Sequence, residues 1–169
     1  MIEEIIDGIK YRLDEENLTA EVIQNDEYEG DIIIPGTVVC NETTYRVTSI
    51  GEGAFEGCES LTSIVIPEGV TCLGEWAFAD CESLTSITIP EGVTSIGKSA
   101  FYGCESLTSI TIPEDVTSIG EKAFEKCNSL TSITFQGTIA QWGKIELSDG
   151  WNGNISTNLV HCTDGDVEI

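Results

Sequence analysis

The most reactive side chains in this 169-residue sequence are seven cysteines and one histidine, set among thirty Asp and Glu. Thiol or imidazole catalysis needs a nucleophile and a base within hydrogen-bond reach. His161 and Cys162 are adjacent in the chain, but successive side chains of an extended strand point to opposite faces, so the pair is a poor match for that role. His161 reads instead as a capping residue. No Cys-x-x-Cys spacing is present, which redox and metal sites usually bring. His-Glu-x-x-His, Gly-x-Ser-x-Gly and phosphate-loop patterns are missing as well. Asp149-Gly150-Trp151-Asn152-Gly153-Asn154 faintly suggests a calcium loop, yet it lacks the terminal Glu at the required spacing and reads as a polar turn. Carboxylates are plentiful enough for acid–base work, but they recur with a fixed period, as solvated columns do. The expectation is a non-enzyme without cofactor or metal.

Four of the cysteines, Cys58, Cys81, Cys104 and Cys127, repeat every 23 residues. Other columns travel with them in the same register: Phe55, Phe78, Phe101 and Phe124, then Leu61, Leu84, Leu107 and Leu130, then Ile64, Ile87, Ile110 and Ile133. A thiol that keeps step with Phe and Leu is expected to be buried, reduced packing material, although a disulfide between stacked column members is not excluded by distance alone. Cys40, Cys72 and Cys162 lie off the column and have no reading.

One unit shows which elements must hold these columns. Leu84-Thr85-Ser86-Ile87-Thr88-Ile89 is β-branched, with Ile87 and Ile89 two apart as in a half-buried strand. Pro90-Glu91-Gly92 makes a turn. Val93 to Ile96 is a second extended stretch; Gly97 ends it, and Lys98 to Tyr102 reads as a short helical turn with Ala100 and Phe101 inward. A unit this small cannot bury its own apolar side, so neighbours must stack, with parallel strands about 4.8 Å apart. Stacking leaves the ends as the physical problem, which natural repeats solve with atypical caps.

Both ends are atypical. Ile9–Leu13 and Leu18–Ile23 read as a hairpin around Asp14-Glu15-Glu16-Asn17, and Ile32-Ile33-Ile34-Pro35 as a degenerate first strand. The extra residues before the next unit fit a second hairpin turning at Asn41-Glu42-Thr43. After Phe135 the pattern fails: Ala140 to Ile145 reads as a helix carrying Trp142, and Trp151 with Leu159-Val160 completes a lid.

The unit from Leu84 to Ser106, Leu-Thr-Ser-Ile-Thr-Ile-Pro-Glu-Gly-Val-Thr-Ser-Ile-Gly-Lys-Ser-Ala-Phe-Tyr-Gly-Cys-Glu-Ser, closely resembles the BspA-like leucine-rich repeat family. The run from Ile133 to Thr138, leading to Trp142 and later to His161-Cys162-Thr163-Asp164-Gly165, resembles that family's caps. The resemblance covers nearly the whole chain. It implies an α/β leucine-rich-repeat solenoid, strand-rich with short helical turns, in one continuous domain: residues 1–46 an N-terminal hairpin cap and first strand, 47–135 the repeats, 136–169 a C-terminal cap. It also implies protein binding in bacterial surface adhesion or host contact, with host matrix proteins among the partners. An intracellular interaction scaffold without catalytic activity is the alternative.

Charge narrows the partners. A formal net charge of -23, with only seven Lys and Arg and no cluster of them, disfavours nucleic-acid binding, which displaces counterions with grouped bases. No apolar run approaches the roughly 20 residues that cross a bilayer. The acidic opening Met1-Ile2-Glu3-Glu4 does not read as an export signal, whereas the family resemblance points to the cell surface or secretion; a cytoplasmic location is the alternative. A monomeric or weakly self-associating module is expected. Its candidate contact face is the set of outward strand positions Ser63, Val65, Ser86, Thr88, Ser109, Thr111, Ser132 and Thr134, beside two acidic columns, Glu59, Glu82 and Glu105, and Glu68, Glu91 and Glu114. These columns are also what β-propensity and solvation alone would produce.

Overall fold

The computed structural model, which describes residues 1–25 and 27–169, winds the repeats into a solenoid with a sheet on each of two sides. Each unit contributes one strand to each sheet because it holds two β-branched stretches separated by the Pro-Glu-Gly turn. The first three strands, β1 (Ile2–Ile6), β2 (Ile9–Asp14) and β3 (Thr19–Val22), form an antiparallel meander, and β3 then pairs in parallel with β6 (Thr43–Ile50). Between them in the chain lie β4 (Gly30–Ile33) and β5 (Thr37–Cys40), the latter joined in a hairpin to β6 (Thr43–Ile50). From there the strands alternate sides: β7 (Leu61–Val65), β8 (Cys72–Leu73), β9 (Ser86–Thr88), β10 (Ser95–Ile96), β11 (Ser109–Ile112), β12 (Ser118–Ile119) and β13 (Ser132–Phe135). Helix α1 (Ile139–Trp142), β14 (Glu146–Leu147), and the hairpin of β15 (Leu159–Cys162) and β16 (Gly165–Glu168) follow.

The front sheet has seven strands in the order β16-β15-β13-β11-β9-β7-β4, and the back sheet has nine, running β1-β2-β3-β6-β8-β10-β12-β14 with β5 beside β6. Between β7 and β13 the register is one full repeat per strand, pairing Ile64 with Ile87, Ile87 with Ile110 and Ile110 with Ile133. That register is strongly specified, because a slip of one residue would turn every buried Ile to solvent.

Between the sheets runs a continuous stack of rings. Phe55, Phe78, Phe101 and Phe124 are fully buried, with successive centroids 5.2, 5.3 and 5.3 Å apart and planes within 7° of parallel. Tyr28 closes the stack at one end, 4.6 Å from Phe55, and Trp151 meets Phe124 edge-on at 6.1 Å at the other. Trp142 sits between Trp151 and Phe135, at 5.8 and 5.4 Å. Each such ring pair is worth about 0.5–1.5 kcal/mol beyond the area it buries.

The short helical turn expected at Lys98 to Tyr102 is a pair of successive tight turns. Alternate N–H groups there reach forward to the next coil: Ser99 to Glu121 O, Phe101 to Ala123 O and Gly103 to Glu125 O, at 2.9, 2.8 and 2.9 Å. Helical i to i−4 bonds are thereby replaced, and Ser99 and Gly103 take positive φ, 52° and 70°. Nearby, Gly74, Gly97 and Gly120 form a column at which coils touch backbone to backbone; a Cβ on Gly97 would lie 2.5 Å from the Gly74 carbonyl carbon.

The ends largely follow the sequence. The β5–β6 turn falls at Asn41 and Glu42, both with positive φ, as a tight type I′ hairpin needs. The expected helix shortens to α1, started by a capping box of Thr138 and Gln141 and ended at Gly143. Strands β1, β14 and β16 carry no pattern that marks them as extended from sequence alone.

Candidate functional site

The front sheet sets out the expected positions as two rows across the strands. Strand pairing places Ser63, Ser86, Ser109 and Ser132 side by side, and Val65, Thr88, Thr111 and Thr134 in the next row. Ser86, Ser109, Thr88, Thr134 and Val65 are exposed; Ser63, Thr111 and Ser132 are half-buried. All eight alternate with the buried Ile column, so they form one solvent-facing surface. Glu59, Glu82 and Glu105 stand exposed just before the front strands, and Glu68, Glu91 and Glu114 just after them. The rows are thus bracketed by carboxylates at both strand ends. Glu114 also accepts from Gln141 Nε2 at 3.2 Å, and with Glu91, Asp115 and Gln136 it lines a depression of about 210 Å³.

Register extends both rows beyond the positions read from the sequence. Asp31 precedes Ser63, and its Oδ1 accepts from the Ser63 and Thr62 hydroxyls at 2.6 and 2.8 Å, which holds its carboxyl below its ordinary range. The second row begins at Ile33, next to Val65, and continues past Thr134 to His161. A third column, Thr62, Thr85, Thr108 and Thr131, is exposed on the same side. There Thr108 and Thr131 donate their hydroxyls to the carbonyl one coil back, at 3.5 and 3.3 Å, so part of this hydroxyl surface is committed to joining coils. The 23-residue period carries that column too, and it could have been found there.

His161 is exposed, with Nδ1 2.8 Å from Asp166 Oδ1 across the terminal hairpin, while Cys162 packs against the core from the opposite face. Within the repeat column, Cys81, Cys104 and Cys127 donate to the Phe55, Phe78 and Phe101 carbonyls at 3.2, 3.1 and 3.0 Å. All seven cysteines are unbridged. Burial pushes the Cys81 thiol up, and a hydrogen bond with Cys127 together with burial does the same at Cys104. These groups therefore stay protonated, the opposite of what a reactive thiolate requires. The Asp149–Asn154 segment makes the last turn of the stack: Trp151 O accepts from Phe124 N at 2.7 Å and Gly153 O from Lys126 N at 3.0 Å. Among the described residues no three His, Cys, Asp or Glu converge as a metal site would, and no helix is long and apolar enough to cross a membrane.

Residues 41–148 match the BspA type leucine rich repeat region in six copies. Solved structures agree in fold. A leucine-rich repeat protein from Bacteroides ovatus is 35% identical over 80% of this chain and 43% of its own, with a TM-score of 0.64. A leucine rich cell surface protein from Faecalibacterium prausnitzii is 26% identical over 94% of this chain and 48% of its own, at 0.66. A leucine-rich repeat protein from Bacteroides capillosus is 29% identical, covering 80% of this chain and 99% of its own, at 0.71. The chain thus spans less than half the length of the first two. Among curated proteins there is no match.

Proposed function

The chain belongs to the BspA-type leucine-rich repeat family, and from that premise we propose that it is a protein-binding module whose contact surface is the solvent face of the front sheet, serving bacterial cell-surface adhesion or host contact. The observation that carries this reading is the pair of register-locked rows of mostly Ser and Thr, solvent-facing and bracketed by two exposed acidic columns. Hydroxyls spaced by the sheet offer adaptable hydrogen bonding, and the carboxylates, on a chain of net charge -23, favour a basic partner and repel acidic ones. The Faecalibacterium structure's description as a cell surface protein supports the location. Residues 1–46 and 136–169 act in this reading as caps that cover the core at the two ends of the stack, with Tyr28 against Phe55 and Trp151 against Phe124.

Titration calorimetry against soluble extracellular-matrix proteins at two salt concentrations tests the reading. Affinity should fall with added salt, since exposed charges are screened beyond roughly 8 Å at physiological ionic strength. Replacing Thr88 and Thr111 by Lys should weaken binding while leaving the fold intact, because exposed sheet positions tolerate such changes. Unchanged affinity in the double variant would move the contact to the caps or the back sheet.

A further inference from the structure

We propose a second interaction surface at the border of the front-sheet face, one that uses backbone groups instead of the Ser/Thr rows: the open edge of β4 is a docking site for an extended basic segment of a partner protein, which adds to the front sheet as another strand. Among the described residues, strand β4 ends the seven-stranded sheet and pairs only with β7 within it. Gly30 N–H goes to Ser60 O at 2.9 Å and Ile34 N–H to Val65 O at 3.0 Å. Backbone groups alternate sides along a strand, so Asp31 and Ile33 present their N–H and C=O to the open edge. Such a row of unpaired groups is a template for another strand.

Side chains at this edge specify what the strand should carry. Ile33 is 73% exposed and lies beside Val65, itself 54% exposed, so an apolar residue added next to Ile33 would extend an apolar start to the second row. Two residues earlier, the neighbour of Asp31 would extend the row that begins with a carboxylate. Along the same edge runs a groove of about 210 Å³ to which Asp7, Glu27, Glu29 and Asp31 contribute four carboxylates, with no base among its described lining residues. An incoming strand therefore meets negative charge at several points and one apolar contact, which fits a segment mixing Lys or Arg with Val or Ile. A second copy of this chain does not fit, because its net charge of -23 brings like charges together at that edge.

The test uses the full chain and a fluorescent peptide repeating Val-Val-Lys-Lys, so that each face of the extended peptide alternates apolar and basic. Anisotropy at low salt should show saturable binding that weakens with salt, and a Val-Val-Glu-Glu peptide should not bind. Ile33→Pro removes the outward N–H without touching the bonds to β7 and should weaken binding by at least about tenfold. If that variant does not fold, Ile33→Lys keeps the N–H but places a positive charge against the peptide, with the same expected loss. The Thr88→Lys/Thr111→Lys chain should bind the peptide as tightly as the unaltered chain, which separates this edge from the front-sheet face. No binding up to about 1 mM peptide, equal binding of the acidic peptide, or full affinity in a folded Ile33 variant would overturn the proposal.

Discussion

Adding one methyl group at Gly97 should be far more damaging than adding it at Gly92, although the glycines are five residues apart and neither adopts a positive φ. A Cβ on Gly97 would sit 2.5 Å from the carbonyl carbon of Gly74 and 2.6 Å from its oxygen. Carbon atoms in contact rest at about 3.5–4.0 Å, so the two coils must part by about 1 Å. The hydrogen bond that joins those two coils at that point is Gly97 N–H to Leu73 O at 3.0 Å. Stretching it by about 1 Å takes it past the hydrogen-bond limit. Overpacking costs about 1–3 kcal/mol and the lost bond adds about 0.5–1.5 kcal/mol, so Gly97→Ala should destabilise by about 1.5–4.5 kcal/mol. At Gly92 the new Cβ finds the Glu68 and Val70 carbonyl oxygens at 3.5 and 3.6 Å, ordinary contact distances. Gly92→Ala should therefore be neutral, or stabilising by about 0.4–1 kcal/mol through the unfolded chain. Urea unfolding followed by circular dichroism measures both, and the melting temperature of Gly97→Ala should drop on the order of 10 °C. Equal effects of the two substitutions, within about 0.5 kcal/mol, would refute the backbone contact between coils.

Thiol titration of the native protein should label the exposed Cys72 quickly and the buried Cys81, Cys104 and Cys127 only on unfolding; rapid labelling of those three without unfolding would contradict the packed column. Because burial raises the folded-state pKa of Cys81 above its ordinary 9.0, the unfolded chain ionises first, so this contribution to stability is complete below pH 9 and is lost as the pH rises toward the folded value. Urea midpoints compared at pH 8 and about pH 10 check that sign, a fall on the alkaline side being the expected result. Deleting residues 138–169 should uncover the buried Leu130, Ile133 and Phe135, together with the free edge of β13, and produce aggregation visible by light scattering. A truncated chain that stayed monomeric at the same concentration would show that the segment closes nothing.

Much of the stack was legible because a fixed period writes the core into columns: Phe101, Leu107, Ile110 and Cys104 are each buried where the repeat places them. Hairpin turns at Asn41-Glu42 were legible for a local reason, as Asn tolerates positive φ. The turns at Lys98–Tyr102 were misread because Ala100 and Phe101 satisfy a helical pattern, and only hydrogen bonds to the next coil reveal that the N–H groups are already taken. Strand β1 escaped because Ile2, Ile5 and Ile6 do not alternate; its pairing with β2 and the ion pairs of Lys10 and Arg12 with Glu3 hold it instead. Of the candidate face, the Ser and Thr rows came from spacing alone. Their extension to Asp31, Ile33 and His161 depends on long-range pairing with β4 and β15, which no period encodes.

Threonine methyl NMR of the 18.2 kDa chain during titration with the matrix protein that binds it most tightly is the most direct measurement, since both sheets carry threonine columns. Signals of Thr88, Thr111 and Thr134 on the front sheet should shift or broaden together, while those of Thr71, Thr94 and Thr117 beside the back sheet stay unchanged. Perturbation confined to the back threonines, or to neither set while calorimetry reports binding, would contradict the front face as the contact surface.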